Sequence, residues 1–371
     1  MRTTVLLIML LAGNLLTDVY ANSPKTVPAD KNEFTVHRGL NIAHWLSQSE
    51  ARGQERANYF TEKDIKFLAD AGYDHLRIPI DEEQMFSKDG KPDPEAFKLL
   101  HNGLKWCAKY NLKAIIDLHI LRSHHFNEKV KPLFTDAAAQ ERFYECWRLL
   151  SKELKKYPNN MVAYELMNEP VADDAETWNM IANKCAAVVR KSEPNRTIVI
   201  GSNRWQGYET IKDLRVPEND KHILISFHYY LPFLLTHYRA LWTENKEYTG
   251  PVHYPGIVIH PEDLQQQPEA VAKKFKWYTT QTFNKEVMKS HFQQVLDHAN
   301  QLGLRVYCGE YACLETAPDA DRIRWYQDIC SAFEEMGIAH ATWDYKEGFG
   351  IFKDGKPYWE LIEIQTNKPH K

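Results

Sequence analysis

Apolar residues along this chain gather in short runs, separated by longer stretches where they recur every three or four positions. The runs are RGLNIAHW (38–45), HLRIPI (75–80), KAIIDLHI (113–120), MVAYELMN (161–168), TIVIGSN (197–203), ILISFHYY (223–230), RVYCGEYA (305–312) and HATWDYK (340–346). Each reads as a buried strand, while helical periodicity runs over 61–71, 136–156, 173–192, 284–302 and 319–336. Thr61 and Asp64 come close to a capping box, and Gly72, Gly303 and Gly337, or Pro158 and Pro194, follow as stops. Eight strands alternating with helices, continuously apolar because both faces are covered, predict an α/β fold: a single (β/α)8 TIM barrel. The alternative, a doubly wound open sheet, lacks its usual nucleotide-binding signature, since no GxGxxG or GxxxxGKS loop follows any strand. One connection, 229–270 after strand six, is far longer than a simple turn, and long ordered loops of barrels are usually functional.

The 371 residues, 43% hydrophobic and 26% charged, can build a large core. A formal charge of −4, without any basic run, argues against a nucleic-acid or anionic-membrane surface. The opening MRTTVLLIMLLAGNLLTDVYANSPK has a basic start, an apolar core too short for a comfortable membrane span, and a small-residue cleavage pattern. A secretory signal is therefore expected over 1–21, a polar lead-in over 22–33 and a catalytic barrel over 34–371. The mature protein is expected to be secreted, periplasmic or on the cell surface, with no membrane association. The six cysteines could form up to three disulfides there, yet most lie among apolar neighbours, which favours mostly free, buried thiols. Cys308 and Cys313 are too close in sequence to decide. No CxxC appears, so neither a redox site nor a zinc cluster is supported.

The C-terminal ends of barrel strands point into the active site, and polar groups recur there. Strand two supplies Arg77, strand three Asp117 and His119, strand four Asn168 and Glu169, strand six His228 and Tyr230, strand seven Glu310, and strand eight Trp343. Strands four and seven lie across the mouth from one another, so Glu169 and Glu310 can face each other. Two opposed carboxyl groups are the equipment of glycoside hydrolysis, provided one stays protonated while the other is ionised.

The ordered set RGLNIAHW, LRIPI, DLH, LMNEP, FHYY and GEY, completed by Trp343, resembles glycoside hydrolase family 5, of the clan of (β/α)8 retaining glycosidases. The resemblance implies that Glu169 is the general acid/base and Glu310 the nucleophile, their carboxyl groups about 5–5.5 Å apart. It further implies that Tyr230 bonds to and aims Glu310, Arg77 buttresses it, and His228 sits near Glu169. His119 would contact the sugar, Asn168 its 2-OH, and Trp343 would be a stacking floor. The implied activity is endo-β-1,4-glucanase, with a poly- or oligosaccharide as partner and the protein a monomer. The same family also holds β-mannanases, xyloglucanases and exo-β-glucanases, and a barrel that only binds sugar is the non-enzymatic alternative.

The chain departs from many relatives after DLH, where it reads ILRSHHFNEKVKP. His119, His124 and His125 lack the spacing and the carboxylate of a catalytic metal set, so neither a metal nor a cofactor is expected. Asn203, Arg204 and Trp205 are further candidates for sugar contact or for packing. The NRT sequon at 195–197 falls at the expected bottom of the barrel.

Overall fold

The computed structural model describes residues 33–370. The expected signal peptide and residues 22–32 of the lead-in lie outside them. Eight parallel strands close into a barrel: β1 Arg38–Asn41, β2 His75–Asp81, β3 Lys113–Ile120, β4 Val162–Glu165, β5 Ile198–Gly201, β6 Ile223–Tyr229, β7 Arg305–Tyr311 and β8 Ala339–Thr342. Sequential strands are spatial neighbours throughout, and β8 closes onto β1 with Thr342 opposite Leu40. This is the (β/α)8 barrel that the eight apolar runs predict.

Side chains alternate between the two faces of a strand, and here the faces have different jobs. Ile116, Leu118, Tyr164, Ile225 and Phe227 belong to the large core shared with the helices. Ile115, Ala163, Val199, Leu224, Tyr307 and Ala341 form a separate buried cluster within the barrel, joined by Phe34 and Val36 from the segment before β1. Two positions further along the same inward faces stand Asp117, Glu165, Ser226 and Gly309. The interior thus changes from apolar to polar over one layer of side chains.

Two runs leave the ladder earlier than their apolar pattern suggests. β4 ends at Glu165 and β8 at Thr342, so Asn168, Glu169 and Trp343 sit on the loops just past their strands. At Glu169 the backbone takes φ +43°, a left-handed turn that no strand contains. β6 and β7 slip register between Phe227, opposite Cys308, and His228, opposite Glu310. The extra residue, Gly309, turns Glu310 onto the same inward side as His228. A Cβ on Gly309 would stand 2.9 Å from Ser226 Oγ, so the bulge has room only for glycine.

The helices around the barrel are α1 Glu62–Ala71, α2 Pro94–Lys109, α3 Ala137–Leu154, α4 Ala175–Arg190, α5 Lys285–Leu302, α6 Asp319–Met336 and α7 Trp359–Thr366. Five match the expected periodic segments; α2 and α7 are additional. α2 carries its own start signals, with Pro94 first and the Asp93 carboxylate accepting from Ala96 N at 2.7 Å. Between β5 and β6 a 3-10 helix, Tyr208–Asp213, takes the place of an α-helix.

The connection after β6 extends further than expected, to Asn284. It holds the short helices Phe233–Thr236, Pro261–Gln265 and Glu269–Phe275, and a two-residue ribbon pairing Gly256–Ile257 with Thr282–Phe283. Tyr248, Tyr254, Val258 and Ile259 are buried within it, so it is a packed unit rather than an open loop. All six cysteines are free and buried, including Cys308 and Cys313. Among the described residues no helix is long and apolar enough to cross a membrane.

Candidate active site

The polar layer of the barrel is organised by Arg77, which β2 carries to the centre with no solvent exposure. Its Nε donates to Glu165 Oε2 at 2.7 Å and its Nη1 to Glu310 Oε1 at 2.7 Å. Its Nη2 donates to Asn168 Oδ1 at 2.9 Å and lies 3.0 Å from Asp117 Oδ2. One guanidinium therefore faces three buried carboxylates, which hold it firmly charged. Asn41 on β1 accepts from Arg77 Nη1 at 2.9 Å and donates to the carbonyls of Gly309 and Thr342, tying the arginine to β7 and β8. On the far side, Gln206 donates to Glu165 Oε1 at 3.2 Å.

Glu169 and Glu310 stand above this layer and face one another. One oxygen of each, with a nitrogen of His228, lies within 4.8 Å of the others. Their surroundings differ. Both oxygens of Glu310 are engaged, Oε1 by Arg77 and Oε2 by the Tyr230 hydroxyl, which donates at 2.8 Å. Burial raises the pKa of Glu310, and the charge of Arg77 and the Tyr230 hydrogen bond offset part of that rise. Among the described residues no cation touches Glu169; its partner is His228 Nδ1 at 3.0 Å. Burial, and then the charge of Glu310, push Glu169 well above the usual carboxylate range. Of the two, Glu169 is therefore the one whose surroundings favour the protonated form, and Glu310 the one with a counter-charge for the ionised form. Burial also keeps His228 neutral.

His119 is fixed from both sides. Its Nδ1 donates to Asp117 Oδ2 at 2.7 Å, and its Nε2 accepts from the Gln48 amide at 3.2 Å. Burial lowers its pKa to about 3, so the ring is neutral. It stacks on Trp343 with centroids 5.4 Å apart and planes 10° apart, and Trp343 lines the cleft.

The cleft above these groups has a volume of about 880 Å³. All nine residues anticipated from the strand ends converge on it, seven lining it and the Arg77–Asp117 pair lying beneath. Trp205 lines it too, whereas Asn203 is structural, clamping the backbone of Ala172 through both amide atoms at 2.8 and 3.0 Å. Arg204 is exposed and bonds to the Asp173 carbonyl. His125 faces the cleft, but His124 turns away and packs edge-on against Phe134, so the three histidines do not converge. The sequon lies just before β5, with Asn195 exposed and Thr197 buried.

Several contributors were not singled out from sequence. Glu165 carried a usable signal, a charge inside a buried apolar run, which requires a partner. Asn41 had the same signal in RGLNIAHW. Gln48 and Gln206 had none. The long connection after β6 supplies Phe233, His237 and Trp242 to one wall, the last 62% exposed at the rim.

Comparison with known proteins agrees with this geometry. Residues 30–348 match the family Cellulase (glycosyl hydrolase family 5). Endoglucanase C of Acetivibrio thermocellus is 32% identical over 340 residues, covering 89% of this chain and 98% of that protein. Cellodextrinase A of Ruminococcus flavefaciens is 30% identical over 344 residues, covering 90% and 94%. A solved endoglucanase structure, 26% identical, superposes with a TM-score of 0.72 over 90% of this chain and 97% of that one. A (β/α)8 barrel, an opposed carboxyl pair at its mouth and relatives matched along nearly their whole length agree: the chain is a glycoside hydrolase and belongs to glycosyl hydrolase family 5.

Proposed function

We propose that this protein is a secreted, retaining endo-β-1,4-glucanase that cleaves cellulose-type chains by double displacement. The observation that carries this is the Glu169–Glu310 pair, with oxygens within 4.8 Å and surroundings that favour the proton on Glu169. So close an approach of the two carboxyl groups supports the roughly 5–5.5 Å spacing of retaining enzymes over the wider one of inverting enzymes. Glu310 attacks the anomeric carbon while Glu169 gives its proton to the departing oxygen; the glycosidic bond breaks and a glycosyl ester on Glu310 forms. Glu169, now a carboxylate, takes a proton from water, which attacks the same carbon and frees Glu310.

The neighbouring groups serve those two steps. His228 orients the Glu169 carboxyl through Nδ1. Arg77 and Tyr230 keep Glu310 ionised and aimed. Asn168 gives its oxygen to Arg77, and its amide, 3.5 Å from His119 Nε2, has a second N–H for the sugar 2-OH. Trp343 offers the apolar face of a stacking floor. The names of the two relatives support a β-glucan substrate, the open cleft supports attack within a chain, and the apolar leader supports export.

Carboxymethylcellulose, lichenan, glucomannan, xyloglucan and laminarin, offered in parallel with product lengths measured, test the proposal. Oligosaccharides released from carboxymethylcellulose and lichenan are expected. Cleavage of glucomannan alone, or release of single sugars only, would overturn it.

A further inference from the structure

The connection between β6 and α5 carries a second convergent set of ligating side chains, away from the cleft. His253, His260 and Asp263 each present one donor atom, and the three atoms lie within 4.8 Å of one another. The imidazoles of His253 and His260 are stacked with centroids 4.0 Å apart and planes 8° apart. His253 Nε2 lies 3.2 Å from Asp263 Oδ2. None of the three lines the cleft.

The backbone around each donor is held. Val252 and Tyr254 on either side of His253, Ile259 before His260 and Leu264 after Asp263 are all buried. His253 N donates to the Val258 carbonyl at 3.0 Å, which closes the loop between the two histidines. His260 and Asp263 share the first turn of Pro261–Gln265, with Asp263 N donating to the His260 carbonyl at 3.0 Å. Tyr254 fastens the loop to α6: its N donates to Asp321 Oδ1 at 2.8 Å and its hydroxyl to Asp328 Oδ2 at 2.7 Å. The donors thus project from a fixed frame and remain partly open to solvent.

We propose that His253, His260 and Asp263 bind a divalent transition metal of the zinc class, which staples the β6–α5 connection. Two imidazoles and one carboxylate suit Zn2+, leaving the fourth position to water. Tetrahedral coordination with bonds of about 2.0–2.2 Å places donors roughly 3.4 Å apart. So placed, the metal ties the two ends of the 253–263 loop together in the unit that forms one wall of the cleft.

Chelator-treated full-length protein titrated with ZnCl2, by calorimetry and by thermal melting, tests this. Wild type is expected to bind one zinc at this site and to melt a few degrees higher with it. H260A, which removes a half-exposed side chain, is expected to bind at least about tenfold more weakly, to lose the melting shift and to keep wild-type activity without metal. H253A serves as a second variant with the same expectation. Glu169, His228 and Glu310 also converge, so E310Q is titrated in parallel and is expected to retain the tight site. Equal affinity in wild type, H253A and H260A, loss of tight binding in E310Q, or no binding by wild type would each overturn the proposal.

Discussion

Replacing Tyr230 by phenylalanine removes one hydroxyl from the nucleophile and little else. The ring packs edge-on against His237, with centroids 5.1 Å apart, and phenylalanine retains that contact. What is lost is the 2.8 Å bond to Glu310 Oε2. A hydrogen bond to a charged group contributes about 1.5–3 kcal/mol. At 1.36 kcal/mol per decade of rate, its full expression in the transition state corresponds to a roughly 10- to 150-fold fall in kcat/KM. The same bond favours the ionised carboxylate and so lowers the pKa of Glu310. Its removal raises that pKa, and the acid limb of the pH–kcat/KM profile moves to higher pH. The basic limb, set by loss of the Glu169 proton, moves less. Initial rates on an aryl β-cellobioside across pH, with a melting curve to verify the fold, measure both effects. An unchanged kcat/KM together with an unmoved acid limb would refute the role given to this hydroxyl.

Glu169→Gln removes the proton donor while keeping the His228 contact, so activity on polysaccharide is expected to collapse. Aryl glycosides with acidic phenols need no protonation and lose far less in the glycosylation step; equal losses on both would contradict the assignment. Arg77→Met strands Asp117, Glu165 and Glu310 without a counter-charge, and loss of one partner from a buried ion pair costs about 3–5 kcal/mol, readable in urea denaturation. Asp81, buried and accepting from Ser47 Oγ and Gln48 N, is pushed up to about 7 by burial. Its folded pKa thus lies above the unfolded value of about 3.9, so this group costs stability as pH rises from about 4 to 7. The stability of wild type relative to Asp81→Asn is expected to fall across that window, and a pH-independent difference would count against it.

How far the sequence reaches depends on the range of the forces involved. Strand burial and helix periodicity are local, so the eight runs and five of the helices were legible directly. The end of a strand is not: MVAYELMN is apolar through Met167, yet the ladder stops at Glu165 because the chain must turn at Glu169 to present its carboxyl group. The opposed pair was legible because barrel topology converts strand number into position. The hub beneath it was only half legible. Arg77 stood out at a strand end, but its three carboxylates come from β3, β4 and β7, separations that no periodicity encodes. Gln48 and Gln206 are ordinary loop amides until the fold brings them against His119 and Glu165. The extent of the β6–α5 connection was underestimated because its short helices and ribbon each fall below the length at which a pattern emerges.

The central claim is that Glu310 forms a covalent bond to the sugar. A 2-deoxy-2-fluoro-β-cellobioside with a good leaving group slows both steps, and hydrolysis of the intermediate most of all, so the glycosyl-enzyme accumulates. Mass spectrometry of the treated protein and its peptides is expected to find one added fluoro-cellobiosyl group, on the peptide carrying Glu310. A label on any other residue, or turnover of this substrate with inversion at the anomeric carbon and no adduct, would contradict the account.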